Sequence, residues 1–181
     1  MPLYGFGSSD GVPMTLRRIS LALLLLTVAG CTRGGGPLEA GRTAPDFRAE
    51  DLTGRTHYLN AELAQPLVLT FFATWCLPCR EEIPLLIDLH KKLSGRAQIL
   101  CVAVDPENKG KLRVLVDGLD IPYPMLLDDG QKIMAAYGVA ELPVTFVIDR
   151  EGLIRSQYGP IGQIEASLLA AQLTKLAGES R

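Results

Sequence analysis

The sequence predicts one α/β domain, a mixed central sheet covered by helices on both faces and preceded by a short β-hairpin. Three observations carry the prediction. From about residue 44 onward, short β-rich runs alternate with segments of helical period. Leu67–Phe72 is a nearly unbroken apolar run, the pattern of a strand buried on both faces. Two late runs flank Asp149-Arg150-Glu151-Gly152, a hairpin turn signal, so the sheet closes antiparallel.

The elements follow in order. Residues 45–49 and 56–59 read as two short strands joined at Thr53-Gly54. The apolar run 67–72 is the central strand. A helix is expected from about Cys76 to Leu93, with Leu86, Leu89, His90 and Leu93 at helical spacing, Gly95 at its stop and Pro84 kinking it. Residues 97–104 form a second buried strand and 107–118 a second helix. Residues 124–127 give a short strand, and 131–137 a third helix closed by Gly138. Strands 144–149 and 153–158 make the closing hairpin. The last helix spans about 164–176, with Ile164, Leu168, Leu169, Leu173 and Leu176 on one stripe. Helices that feed parallel strands give the order β-α-β-α-β-α-β-β-α after the first hairpin.

Composition excludes several classes. Apolar residues make up 48% of the 181, and interspersed acids and bases leave a net charge of −2, so a normal core is available. No basic patch recommends a nucleic-acid partner. Four cysteines, Cys31, Cys76, Cys79 and Cys101, are too few and too unevenly spread for a disulfide scaffold.

The first thirty residues read as an address. Arg17 and Arg18 precede an apolar run over residues 19–28 that ends in small residues, the parts of a secretory signal. The run is about ten residues, whereas a membrane-spanning helix needs roughly 20. Val28-Ala29-Gly30-Cys31 resembles the lipobox of bacterial lipoproteins, which implies lipidation of Cys31 and removal of residues 1–30. Residues 1–13 fit a signal poorly, and Met14 would make a conventional start. Residues 31–43, with the Gly-rich stretch Thr32-Arg33-Gly34-Gly35-Gly36-Pro37, then read as a flexible tether to a domain at 44–181.

Trp75-Cys76-Leu77-Pro78-Cys79 follows a buried strand and opens a helix. Free N–H groups and the macrodipole at a helix N-terminus favour a thiolate at Cys76. Cys79, one turn deeper, is placed to resolve a mixed disulfide formed at Cys76. Pro78 loses no hydrogen bond this early in a helix. Cys-x-x-Cys also serves zinc, but that needs a second pair of ligands, and His57, His90 and Cys101 stand isolated. No metal and no cofactor are expected. Cys101, between Leu100 and Val102, is expected to be an inert buried thiol, and the two histidines surface or satisfied helix residues.

The segment Phe72-Ala73-Thr74-Trp75-Cys76-Leu77-Pro78-Cys79-Arg80-Glu81-Glu82-Ile83-Pro84 resembles the active-site segment of the TlpA/ResA branch of the thioredoxin superfamily. Ala44-Pro45-Asp46-Phe47 with Asp51-Leu52-Thr53-Gly54 is similar to that branch's opening hairpin. The segment from Gly138 through Glu141-Leu142-Pro143-Val144 to Asp149 is similar to its cis-proline segment. The resemblance implies a thioredoxin fold and thiol-disulfide exchange. It makes Cys76 the exposed attacking cysteine, Cys79 the resolving one, and Pro143 a cis-proline that leaves the Leu142 backbone free for an incoming peptide. Trp75 is expected to cover the site. Glu82 matches the acidic residue of this branch. Classical thioredoxins carry a buried aspartate six residues before the first cysteine, where this chain has Thr70, and Glu82, at i+3 from Cys79, can face that cysteine instead.

Strong oxidants of this fold carry a His between the cysteines, whereas Leu77-Pro78 supplies no charge, so the pair is expected to act as a reductant. The resemblance implies a membrane electron donor of the DsbD/CcdA type, and protein clients of which apo-cytochromes c are the better-known example. A monomer is expected. A peroxiredoxin-like peroxidase would need Thr where Ala73 stands, and a Sco-like copper chaperone would need Cys-x-x-x-Cys and a distal His.

Overall fold

The computed structural model describes residues 38–159 and 166–178. The lipobox, its cysteine and Ile164 therefore lie outside the described residues. Seven strands form one mixed sheet in the order β2-β1-β5-β4-β3-β6-β7. The chain runs β1 (Arg48–Asp51), β2 (Thr56–Tyr58), α1 (Leu59–Glu62), β3 (Leu67–Phe72), α2 (Leu77–Lys92), β4 (Gln98–Ala103), α3 (Lys109–Gly118), β5 (Met125–Leu127), α4 (Lys132–Ala136), β6 (Val144–Ile148), β7 (Ile154–Tyr158) and α5 (Ala166–Gly178). Single 3₁₀ turns at Pro106–Asn108 and Asp129–Gln131 lead into α3 and α4.

β3 sits at the centre because its sequence can be buried on both faces. All six of its residues are buried. It pairs parallel with β4 and antiparallel with β6, in a register that sets Thr70 beside Cys101 on one side and Thr145 on the other. The Thr145 hydroxyl donates to Thr70 Oγ1 at 2.9 Å, so two buried polar groups satisfy each other. Phe71, Tyr137 and Phe146 form an aromatic cluster with centroids 5.2 to 6.0 Å apart. α2 ends where Leu93 N–H bonds the Leu89 carbonyl, and Gly95 takes φ +75° to turn the chain. Buried Asp128 accepts from the backbone N–H groups of Ile133 and Met134 and so starts α4.

Several expectations need correction. The first strand begins at Arg48 rather than residue 45, since Pro45 has no N–H and the Asp46 carboxylate takes the Phe47 N–H in a local bond. Leu59 opens a short helix and does not extend β2. Leu168 is 62% exposed and off the stripe, while Leu169, Leu173 and Leu176 are buried. Leu38, Gly41 and Ala44 donate backbone hydrogen bonds to Tyr137, Ile154 and Gly152, which fixes residues 38–43 against the sheet.

His57 is neither a surface nor a helical residue. It lies buried on β2, with Nε2 2.9 Å from Asp51 Oδ2 and Nδ1 2.9 Å from Glu62 Oε1. Burial alone would raise the Asp51 pKa. Hydrogen bonds from the Thr53 hydroxyl, His57 and the Thr53 and Arg55 N–H groups outweigh it and hold the carboxyl at about 2. The first hairpin is thus built around a buried acid-histidine-acid chain that periodicity gives no sign of.

Candidate active site

The strand-to-helix junction after β3 builds the site. Val104 N–H bonds the Phe72 carbonyl and Cys76 N–H bonds the Ala73 carbonyl, so the chain turns sharply off the end of the central strand. Asp105, buried at the end of β4, holds this turn. Its two carboxylate oxygens accept from Thr74 N–H at 3.1 Å, and Oδ2 accepts from the Thr74 hydroxyl at 2.5 Å. Asn108 Nδ2 donates to the same oxygen. Asp105 is the residue that sequence reading missed. The available signal was an acid directly after an apolar strand and directly before Pro106.

Cys76 is the N-cap of α2. Its Sγ accepts from Cys79 N–H at 3.2 Å, and its carbonyl accepts from Arg80 N–H. The sulfur therefore occupies the position where a capping side chain satisfies a free helix N–H group, the setting that stabilises a thiolate. Cys76 and Cys79 form a disulfide with Cα atoms 5.3 Å apart. In this oxidised state both cysteines are buried, Cys76 at 4% exposure and Cys79 at 2%, so the expected exposure of Cys76 is not present. Trp75 is not part of the core. It is 70% exposed and Leu77 is 63% exposed, so both neighbours of Cys76 present apolar surface outward.

The Leu142–Pro143 peptide bond is cis. Phe71 faces Val144 in the β3–β6 register, so Pro143 stands at the same sheet end from which Cys76 emerges. Topology thus brings the Cys-x-x-Cys turn and the cis-proline to one end of the central strands.

Glu82 is 2% exposed, and its Oε1 has no hydrogen-bond partner among the described residues. Burial raises its pKa from the ordinary 4.5 to about 8. Glu82 shares a small cavity with Cys79, Thr70, Cys101 and Tyr123. The Cys101 thiol is pushed up by burial and then by the Glu82 charge, and stays protonated. It is a buried free thiol. His90 is half-buried with its ring 6.1 Å from Tyr123.

The AhpC/TSA family model matches residues 40–157. The thiol-disulfide oxidoreductase ResA of Bacillus thuringiensis (strain Al Hakam) is 30% identical over 168 residues, 89% of this chain and 95% of that protein. Among solved structures, a Chlorobium tepidum protein assigned as the thiol:disulfide interchange protein DsbE superposes with a TM-score of 0.71 at 26% identity, over 78% of this chain and 99% of the other. The peroxidoxin BcpB of Mycobacterium tuberculosis superposes at 0.66 and 26% identity, over 79% and 99%.

Proposed function

The chain belongs to the AhpC/TSA family of thioredoxin-like thiol-disulfide oxidoreductases, and on that premise we propose that it reduces disulfides of client proteins outside the cytoplasm. The observation that carries the reading is Cys76 as N-cap of α2, joined to Cys79 through the uncharged Leu77-Pro78. In the reduced protein the Cys76 thiolate attacks one sulfur of a client disulfide. A mixed disulfide forms, and the client's other sulfur leaves as a thiolate. Cys79 then loses its proton to Glu82, and its thiolate attacks Cys76 Sγ. The client's second thiolate leaves, and the protein is left as the Cys76–Cys79 disulfide. Two electrons have passed to the client, whose two thiolates take up protons.

The Leu142 backbone before cis-Pro143 and the outward face of Trp75 receive the client peptide beside Cys76. Return to the dithiol needs two electrons from a donor, which a membrane protein of the DsbD/CcdA type supplies. Cys31 carries the lipid that keeps the domain at the membrane, and apo-cytochromes c are the client class the ResA likeness favours.

The likeness to a peroxidoxin recommends peroxide reduction less. Thr74 gives its hydroxyl to Asp105, and buried Ala73 offers none. Incubating the reduced protein with an oxidised Cys-x-x-Cys-His peptide tests the proposal. Transfer of the disulfide to Cys76–Cys79 is expected, and a Cys79→Ala variant accumulates the mixed disulfide. Peroxide consumption without thiol transfer would overturn the assignment.

A further inference from the structure

Beside the redox disulfide lies a groove of about 340 Å³ between the start of α2 and the outer face of α3. Thr74 and Arg80, which bracket the Cys76–Cys79 turn, form one wall. Val114, Leu115, Leu119 and Lys111 line the other. Val114 is 73% exposed and Leu119 is 43% exposed, so α3 turns apolar side chains to solvent although its Leu112 is fully buried in the core. Two cations, Arg80 on one wall and Lys111 on the other, border this apolar surface, and no carboxylate is among the lining residues.

We infer that this groove selects clients, taking a client segment in which an acidic residue stands next to an apolar one, two or three positions from the reacting cysteine. The inference rests on the disulfide-exchange reading above. Two features fix the occupant. The groove borders the reacting turn, since its lining residues Thr74 and Arg80 flank Cys76 and Cys79, and Thr74 lies two residues from Cys76, a span of about 7 Å at most. A peptide whose sulfur is at Cys76 can therefore reach it within two or three residues. The charge is of one sign, so Arg80 and Lys111 attract a client carboxylate while Val114 and Leu119 take its apolar neighbour. An exposed apolar patch rimmed by like charges is the ordinary anatomy of a transient recognition surface.

The test uses two homodimeric peptide disulfides that differ only in whether Asp-Leu or Lys-Leu fills the second and third positions after the cysteine. Cleavage by the reduced protein is read by chromatography and divided by the rate with dithiothreitol, which removes each peptide's own reactivity. The Asp-Leu peptide is expected to react about fivefold faster in kcat/KM at low salt, the scale of one exposed charge pair. That ratio should fall toward one at about 0.5 M salt. Lys111→Glu should invert the preference, and Val114→Ser should slow both peptides while leaving their ratio in place. Equal normalised rates for the two peptides would overturn the groove and leave disulfide exchange standing. Failure to cleave either peptide or oxidised glutathione would overturn both. A dimer in light scattering that Val114→Ser dissolves would make the groove a contact between copies of this chain, and would overturn the client assignment.

Discussion

Replacing Glu82 by Gln in the oxidised protein isolates what the buried carboxylate costs. Glu82 is 2% exposed, and burial raises its pKa from 4.5 to about 8. Between those values the unfolded chain has released the Glu82 proton while the folded chain retains it, so each step up in pH favours unfolding. The folded-state pKa is the raised one. Its contribution to stability is therefore fully present below about 4.5, is lost progressively, and levels off above about 8. At about 1.36 kcal/mol for each tenfold step, the interval from 4.5 to about 8 gives about 5 kcal/mol as a ceiling. Relaxation and water entry reduce such penalties, and a realised difference of about 2 to 4 kcal/mol follows. Gln keeps the shape and never ionises, so its stability lacks this slope. Urea unfolding of both proteins at about pH 5 and about pH 9 gives the readout, with their difference cancelling every other titrating group. The variant should gain about 2 to 4 kcal/mol on the wild type across that range. A difference that stays constant with pH would refute the reasoning, because the carboxyl would then be solvated or paired in the folded state. The same variant tests the proposed chemistry. Loss of a general base should lengthen the mixed-disulfide lifetime by a factor of about 10² or more, with the first attack by Cys76 less affected. Exposed Glu81, changed to Gln, should do little.

Three further outcomes are expected. Cys31→Ala should abolish incorporation of labelled fatty acid, and equal label in variant and wild type would remove the anchor. Equilibration with glutathione should place the Cys76–Cys79 couple nearer about −270 mV than about −120 mV, and a value above about −180 mV would overturn the reductant assignment. Asp51→Ala should cost about 2 to 4 kcal/mol in urea unfolding near neutral pH, because it strips buried His57 and the Thr53 and Arg55 N–H groups of their acceptor. Asp51 has its pKa lowered from 3.8 to about 2, so its contribution is present above 3.8 and lost as pH falls toward 2. The gap between variant and wild type should therefore narrow below about pH 4.

The parts of the fold that were legible in the sequence are those set by local pattern. The run Leu67–Phe72 announces a two-faced strand, and Cys76 followed by Pro78 announces a helix start, because burial and capping act on neighbouring residues. The fine edges were not legible where a side chain competes with the backbone, as Asp46 does at the first strand. The exposure of Trp75 was not legible either, since it stands on a turn that Asp105 holds through Thr74, 31 residues away in sequence. Asp105 and the Asp51–His57–Glu62 chain share that obscurity, since each depends on a tertiary contact that no spacing rule encodes.

Thr70 and Glu82 join the legible and the hidden parts. A carboxylate at position 70 would lie in the centre of the sheet beside Cys101 and opposite Thr145, where it would strand a charge among apolar strands. The chain instead places two hydroxyls there, 2.9 Å apart, and they satisfy each other without charge. The cavity that Thr70 lines from the sheet is lined from the helix by Glu82, on the same helix as Cys79. An acid supplied from the helix side reaches the same space and leaves the β3–β6 ladder neutral. The cost is the raised pKa of Glu82, which makes it a buried proton-binding group in the cavity that Cys79 also lines. Glu82→Gln therefore makes two predictions that stand or fall together. The stability gained at high pH and the slowed release of the mixed disulfide have one origin, a buried carboxyl that is expensive to ionise. A variant that restores a carboxylate on the sheet, Thr70→Asp with Glu82→Gln, should recover part of the resolution rate while losing stability through the broken Thr70–Thr145 pair. Recovery of rate with no loss of stability would show that the hydroxyl pair does not contribute to the centre of the sheet.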